Sequence, residues 1–374
     1  MVVPRLLQRL DQAIARAELP LDRECLKAER VVAMARLGNL VEARIALAHL
    51  KAQAKRQTEP RLLGWLSFAE AIVVNRTDHT LAVIPHLCRE AKQRAITAGD
   101  QALQFQASVA LAGFDFHDAR WEALADELMF ALTIFPADEA PELARFDQLL
   151  GRAYSYAGKS DVASGYYKRA HRLAAGEGDT AMIGGIMADR TMYQTDALAL
   201  EDAFGRGNPE AARRVKLEID SFTNFNSGIG KADRQSWNSM FKSMLCVCLG
   251  QFEEASALLE THMRNAMAEG LGEHSAYFHA PRAWCLWHLD EKEAARRDMQ
   301  IAKSTMHLMP DFDDIATTQA RMARLLDLMG HSNEAALHRA EADLALARYR
   351  HSQEALCVQL SRVERERERS LKRG

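Results

Sequence analysis

The sequence predicts an all-α protein, an α-solenoid of antiparallel helix pairs, and three observations predict it. The 374 residues include only nine prolines and twenty glycines, and Ala, Leu, Arg and Glu are abundant, a composition that favours helix throughout. A turn glycine followed five residues later by alanine recurs as Gly38 and Ala43, Gly158 and Ala163, Gly250 and Ala255, and Gly330 and Ala335. Two more copies vary the phrase: "WHLDEKEAARRDM" places Asp290 and Ala295 there, and "FDFHDARWEALADELMFALTIFP" ends in Pro136. The third observation is the stretch Leu149 to Ala170, "LLGRAYSYAGKSDVASGYYKRA", in which small and large residues alternate at helical spacing.

That stretch reads as a helical hairpin. Apolar residues recur at helical spacing up to Ala157, "AGKSD" supplies a glycine stop and a Ser cap, and a second helix follows. Gly151 and Ala163 fall where the two helices cross, and Tyr154 and Tyr167 fill the space beside them.

The elements follow in order. An amino-terminal helix is expected over residues 4–18, then helix pairs over 22–55, 61–98, 101–135, 142–176, 180–226, 232–269, 271–307 and 313–350. The pair 180–226 differs from the rest. Its first helix is long, and "FGRGNPEAARR" makes a loop with Asn208 as cap and Pro209 at the first helical position. "FTNFNSGIGKADRQ" is the most loop-like stretch. It reads as a local insertion in a single solenoid over 1–350, because the repeat resumes near Gln235. Beyond it, 351–374 forms a helical extension in which Tyr349, Leu356, Leu360 and Val363 make an apolar stripe. The stripe suits a capping helix, or a short coiled coil or linker leading to a partner or a further domain.

The hairpin resembles the tetratricopeptide repeat, a helix-turn-helix unit of about 34 residues. Leu150, Gly151, Tyr154, Ala163, Tyr167 and Ala170 match its consensus, and Asp147 stands where its tryptophan would be. The resemblance implies a right-handed superhelix of about eight pairs whose first helices line a concave, partner-binding face. A weaker resemblance links the array to sensory modules upstream of diguanylate cyclase domains, although "GGDEF" is absent.

Composition narrows the function. The formal charge of -3 argues against a surface given over to nucleic acid. No apolar stretch reaches the roughly 18 residues of a membrane span, and the charged amino terminus is unlike a signal peptide. A bacterial-type cytoplasm is the expected location, with neither nucleic acid nor membrane as partner. The six cysteines form no C-x-x-C pair and read as small hydrophobes on helix faces.

The family resemblance assigns Arg145, Gln148, Arg152, Ser155 and Tyr156 to the concave face. It adds Trp237, Met240 and Met244, then Tyr277, Ala280, Trp284, Trp287 and His288, and finally Arg324 and Asp327. The partner-binding set expected from these is Arg145, Gln148, Arg152, Tyr156, Trp237, Tyr277, Trp284 and Arg324. Trp284 and Trp287 equally suit packing between repeats.

His274 and His279 are five apart and face different ways, and no nearby acid completes a metal set. No metal site is therefore expected. Asp313 and Asp314 read as helix-start acids that complement the dipole. Nucleophile, phosphate-loop and dinucleotide signatures are absent, so no cofactor and no enzyme activity are expected. The expected function is a protein- or peptide-binding scaffold, the sensory or regulatory module of a bacterial signalling system, with homodimerisation through the terminal helix open. Two alternatives are a regulator whose superhelix changes when a peptide binds, and the input region of a cyclase-type protein lacking its catalytic domain.

Overall fold

A computed structural model describes residues 4–77, 82–134, 142–229 and 235–373. Pro136, which ends one repeat phrase, lies outside them. Among the described residues the chain is helical, with no strand. The amino-terminal helix is α1 (Arg5–Arg16). Helix pairs follow as α2 (Pro20–Arg36) with α3 (Leu40–Gln53), α4 (Pro60–Asn75) with α5 (Val83–Ala98), α6 (Gln101–His117) with α7 (Trp121–Ile134), and α8 (Leu143–Tyr156) with α9 (Ser160–Glu177). The array continues with α10 (Thr180–Ala203) and α11 (Pro209–Gly228), α12 (Gln235–Cys248) and α13 (Phe252–Ala266), α14 (Ser275–His288) and α15 (Lys292–Thr305), and α16 (Phe312–Leu328) with the long α17 (Ser332–Arg373).

The repeated phrase is a repeated helix stop. In all six copies the residue after the turn position donates its N–H back five residues, as in Asn39 to Met34, Lys159 to Tyr154, Gln251 to Cys246 and His331 to Leu326. This is the Schellman closure, which needs a left-handed residue at the turn. Gly38, Gly158, Gly250 and Gly330 supply it with φ between 68° and 90°. Ala119 (φ 53°) and Asp290 (φ 65°) adopt it without glycine, so the surrounding hairpins enforce the turn against the cost of a Cβ.

Two compact units form, one from residues 1–186 with 354–374, the other from 187–353. The division falls inside α10 and α17. In unit 1, α2, α4, α6 and α8 neighbour one another in an inner layer, and α3, α5, α7 and α9 back them. Gly151 lets α9 approach α8: a Cβ there would lie 2.7 Å from the Tyr167 ring. Helix α1 reaches the far end of this array, where Arg9 pairs with Glu177 and Arg5 packs on Gly178.

The last part of α17 belongs to unit 1. Leu356, Leu360 and Val363 are fully buried, so these three residues of the apolar stripe are covered within the chain, and nothing in the structure supports a homodimer through them. Tyr154 and Tyr166 stack at 5.5 Å between centroids, and both donate to Glu364. Asp147, fully buried, is held by Arg169 and by Arg367 at 3.4 Å. The departure from the repeat consensus at 147 thus serves a contact with the terminal helix.

Unit 2 also differs from expectation at one loop. Helix α11 continues to Gly228 because Val215, Ile219, Phe222 and Asn226 extend one buried face through the Asn-rich stretch. Between α13 and α14 the chain passes through a π-turn and a 3₁₀ turn, with Gly270 at φ 117°, and this places His274 just before α14.

Candidate functional site

The inner face of unit 1 carries a half-buried strip of mixed charge. Glu29 and Arg36 are seven apart on α2 and so share a helix face. The Arg36 guanidinium lies over the Phe68 ring, 5.8 Å from its centroid, and donates to Gln106 Oε1 at 3.4 Å. Burial above all, then the like charge of Arg145, works against the charge on Arg36, while Asp179 and Glu29 favour it. A guanidinium nevertheless stays protonated. Burial pushes Glu29 up to about 7 despite Arg36, with Asp100 and Glu142 adding to the rise.

Arg145 donates to Asp179 at 2.9 Å. Asp179 also accepts from the Met182 N–H at 2.9 Å, which ties this pair to the start of α10. Gln148 is half-buried beside Gly185, where a Cβ would approach its Nε2 to 3.0 Å. Arg152 is half-buried on the same helix. Tyr156 packs with Phe116 and Trp121 at centroid distances of 5.8 and 5.4 Å, a cluster between repeats. Ser155 reaches the Tyr167 hydroxyl.

In unit 2 the chain itself uses the expected anchors. Tyr277 is 2% exposed and donates to Asp196 of α10 at 2.9 Å. Trp284, 8% exposed, carries Arg324 and Arg321 over its ring at 4.7 and 5.4 Å. Arg321 donates to the Asp202 carboxylate and Arg324 to the Asp202 carbonyl, each at 2.6 Å. Leu200 packs with Ala316, Ala345 and Leu346, and Ala203 with Ala320 and Ala342. The later turns of α10 therefore cover α14 and α16. The physical reason is length: the 24 residues of α10 outrun an ordinary repeat helix, and the extra turns bury apolar area on their neighbours. Met240, Met244 and Ala280 are core residues, and Trp237 packs against that core. Trp287 takes Lys292 over its ring at 4.2 Å, His288 stacks on Phe252, and Asp327 pairs with Arg339.

A third arrangement was not expected. His274, Asp311 and Asp314 bring one imidazole nitrogen and two carboxylate oxygens within 4.8 Å of one another. His274 Nδ1 and Asp314 Oδ2 are 2.7 Å apart. Burial opposes charge on His274, but the hydrogen bond to Asp314 and the fields of Asp314, Asp311 and Asp196 outweigh it and raise the imidazole to about 9. Burial first, then the neighbouring carboxylates, raises Asp196 and Asp313 well above the usual range. The acids missing from the sequence near His274 come instead from α16. "DFDDI" is legible as a helix start, but nothing in its spacing pairs it with His274.

No protein-family model matches the chain, and a search of curated proteins finds no sequence match. The resemblance to cyclase input arrays accordingly gains no support. Among solved structures, the chain is similar to a Rap protein complexed with competence and sporulation factor. The TM-score is 0.57 at 11% identity, over 95% of this chain and 100% of that one. At this identity the likeness speaks to fold, and the fold is an all-α solenoid of tetratricopeptide-like helix pairs.

Proposed function

We propose that the chain is a regulatory peptide-binding module whose ligand enters the inner face of unit 1 and sets an acidic group between Arg36 and Arg145. The observation that carries this reading is the state of Arg36. It is a half-buried guanidinium whose hydrogen-bond partner is the neutral Gln106, with a second guanidinium close enough to oppose its charge. Such a group gains from a carboxylate that can take its fork of donors. The Rap protein, solved in complex with competence and sporulation factor, supports the reading through the shared fold. A signalling role in a bacterial cytoplasm belongs to the same proposal: the ligand shifts the superhelix between states and so changes affinity for a partner protein. Binding rather than catalysis is the proposed activity.

Panning a displayed library of short random peptides on the purified chain tests this. Recovered sequences should be enriched in Asp, Glu or a free carboxy terminus. Titrated calorimetrically, they should bind Arg36→Gln and Arg145→Gln at least about tenfold more weakly than the parent. Recovery of peptides without acidic enrichment, or equal affinity for the variants, would overturn it.

A further inference from the structure

We propose that His274, Asp311 and Asp314 form a binding site for one divalent transition-metal ion. The set is assembled from separate parts of unit 2: His274 from the 3₁₀ turn before α14, the two aspartates from the start of α16. Asp311 is the cap residue before α16 and Asp314 lies in its first turn. Bonds of about 2.0–2.2 Å place the ligands of one ion about 3–4 Å apart. Three atoms within 4.8 Å need only side-chain rotations to meet that geometry.

The start of α16 accounts for part of this cluster. A helix amino terminus carries a partial positive charge of roughly half an elementary unit, which welcomes acids at 311, 313 and 314. It does not account for an imidazole nitrogen converging on those acids from the 3₁₀ turn before α14, nor for Asp196 of α10 acting on the same imidazole. Among the described residues, Asp196, Asp313 and Asp314 have no Lys or Arg at ion-pair distance; their partners are Tyr277 for Asp196 and His274 for Asp314. Asp314, Asp311 and Asp196 all bear on that imidazole, and carboxyl groups gathered in a half-buried place gain from a cation that draws on their oxygens.

The donor set selects the cation. One imidazole nitrogen with carboxylate oxygens suits Zn²⁺, Mn²⁺ or Fe²⁺, whereas Mg²⁺ and Ca²⁺ favour oxygen alone. Asp196 accepts from the Tyr277 hydroxyl at 2.9 Å and lies near enough to act on His274. The site is independent of the peptide reading, which rests on unit 1.

The test uses the full chain stripped with a chelator and titrated calorimetrically with Zn²⁺ and, separately, Mn²⁺. One ion should bind per chain and raise the thermal midpoint. His274→Gln and Asp311→Asn should each weaken binding at least about tenfold and abolish the midpoint shift. Asp311→Asn keeps a residue equally preferred at the helix cap, so an unchanged circular-dichroism spectrum separates lost metal from lost fold. Equimolar Mg²⁺ should not compete. Failure of the parent to take up a stoichiometric ion overturns the proposal, as does equal affinity in parent and both variants.

Discussion

Replacing Gly151 by alanine isolates the close crossing of α8 and α9. An added Cβ would sit 2.7 Å from both Cδ1 and Cε1 of Tyr167 and 3.0 Å from its Cγ. Tyr167 is 4% exposed, so its ring has no open space to move into, and the strain passes to the α8–α9 separation. Overpacking of this kind costs about 1–3 kcal/mol. Alanine also returns about 1 kcal/mol of helix propensity, which would blur a single measurement. Gly165 supplies the control: it lies on α9, is exposed, and a Cβ there meets nothing within 4 Å. Gly165→Ala should stabilise by about 0.5–1 kcal/mol. The propensity gain cancels between the two variants, and the difference between them, about 1–3 kcal/mol, reports the clash alone. Urea unfolding followed by circular dichroism measures both. Equal stabilisation by both substitutions would refute the crossing.

Three further perturbations follow from the same structure. Glu29 is raised from 4.5 to about 7, so the folded state holds a proton that the unfolded state has released; stability is full below about 4.5 and falls as pH rises through about 7. Glu29→Gln should remove about 1–3 kcal/mol of that fall, and an equal drop in urea midpoint between pH 5 and pH 8 in parent and variant would contradict it. Ala119→Gly should stabilise by about 0.5–1 kcal/mol, because relief of a left-handed alanine exceeds the added freedom of the unfolded chain; a lower thermal midpoint would show that the turn carries no strain. Deleting residues 354–374 uncovers the sites of Leu356, Leu360 and Val363, at about 1.5–3 kcal/mol each, and should speed amide exchange in α8 and α9; unchanged exchange there would mean the terminal turns do not stabilise unit 1.

Periodicity and punctuation made the helix pairs legible. The six repeated phrases all end a helix with the same backbone closure, and that closure is local, so its residues lie next to one another in the chain. The candidate site was less legible because its contacts are long-range. Arg36 and Gln106 are 70 residues apart, and Arg324 reaches Asp202 across 122. Helical spacing says which residues share a face; it does not say which helix will cover that face. Trp284 illustrates this: its position on α14 is as the repeat pattern implies, yet the later turns of α10 arrive beside it. Asp147 shows the reverse. It was visible as a mismatch to the repeat consensus, and its meaning appeared only with Arg367, 220 residues away.

The membership of residues 354–374 in unit 1 has a consequence for biosynthesis. Unit 2 is one continuous segment lying in sequence between the two parts of unit 1. At about 5–20 residues per second, on the order of ten seconds or more separate translation of Ile186 from that of Glu354. During that interval Tyr154, Tyr166 and buried Asp147 lack Glu364 and Arg367, and the apolar floor beneath Leu356 and Leu360 stays open to solvent or to a chaperone. The early helical hairpins can form as they emerge, but their closing piece comes last. A released chain truncated after residue 353 should therefore be cleaved by protease within its first half while its second half resists.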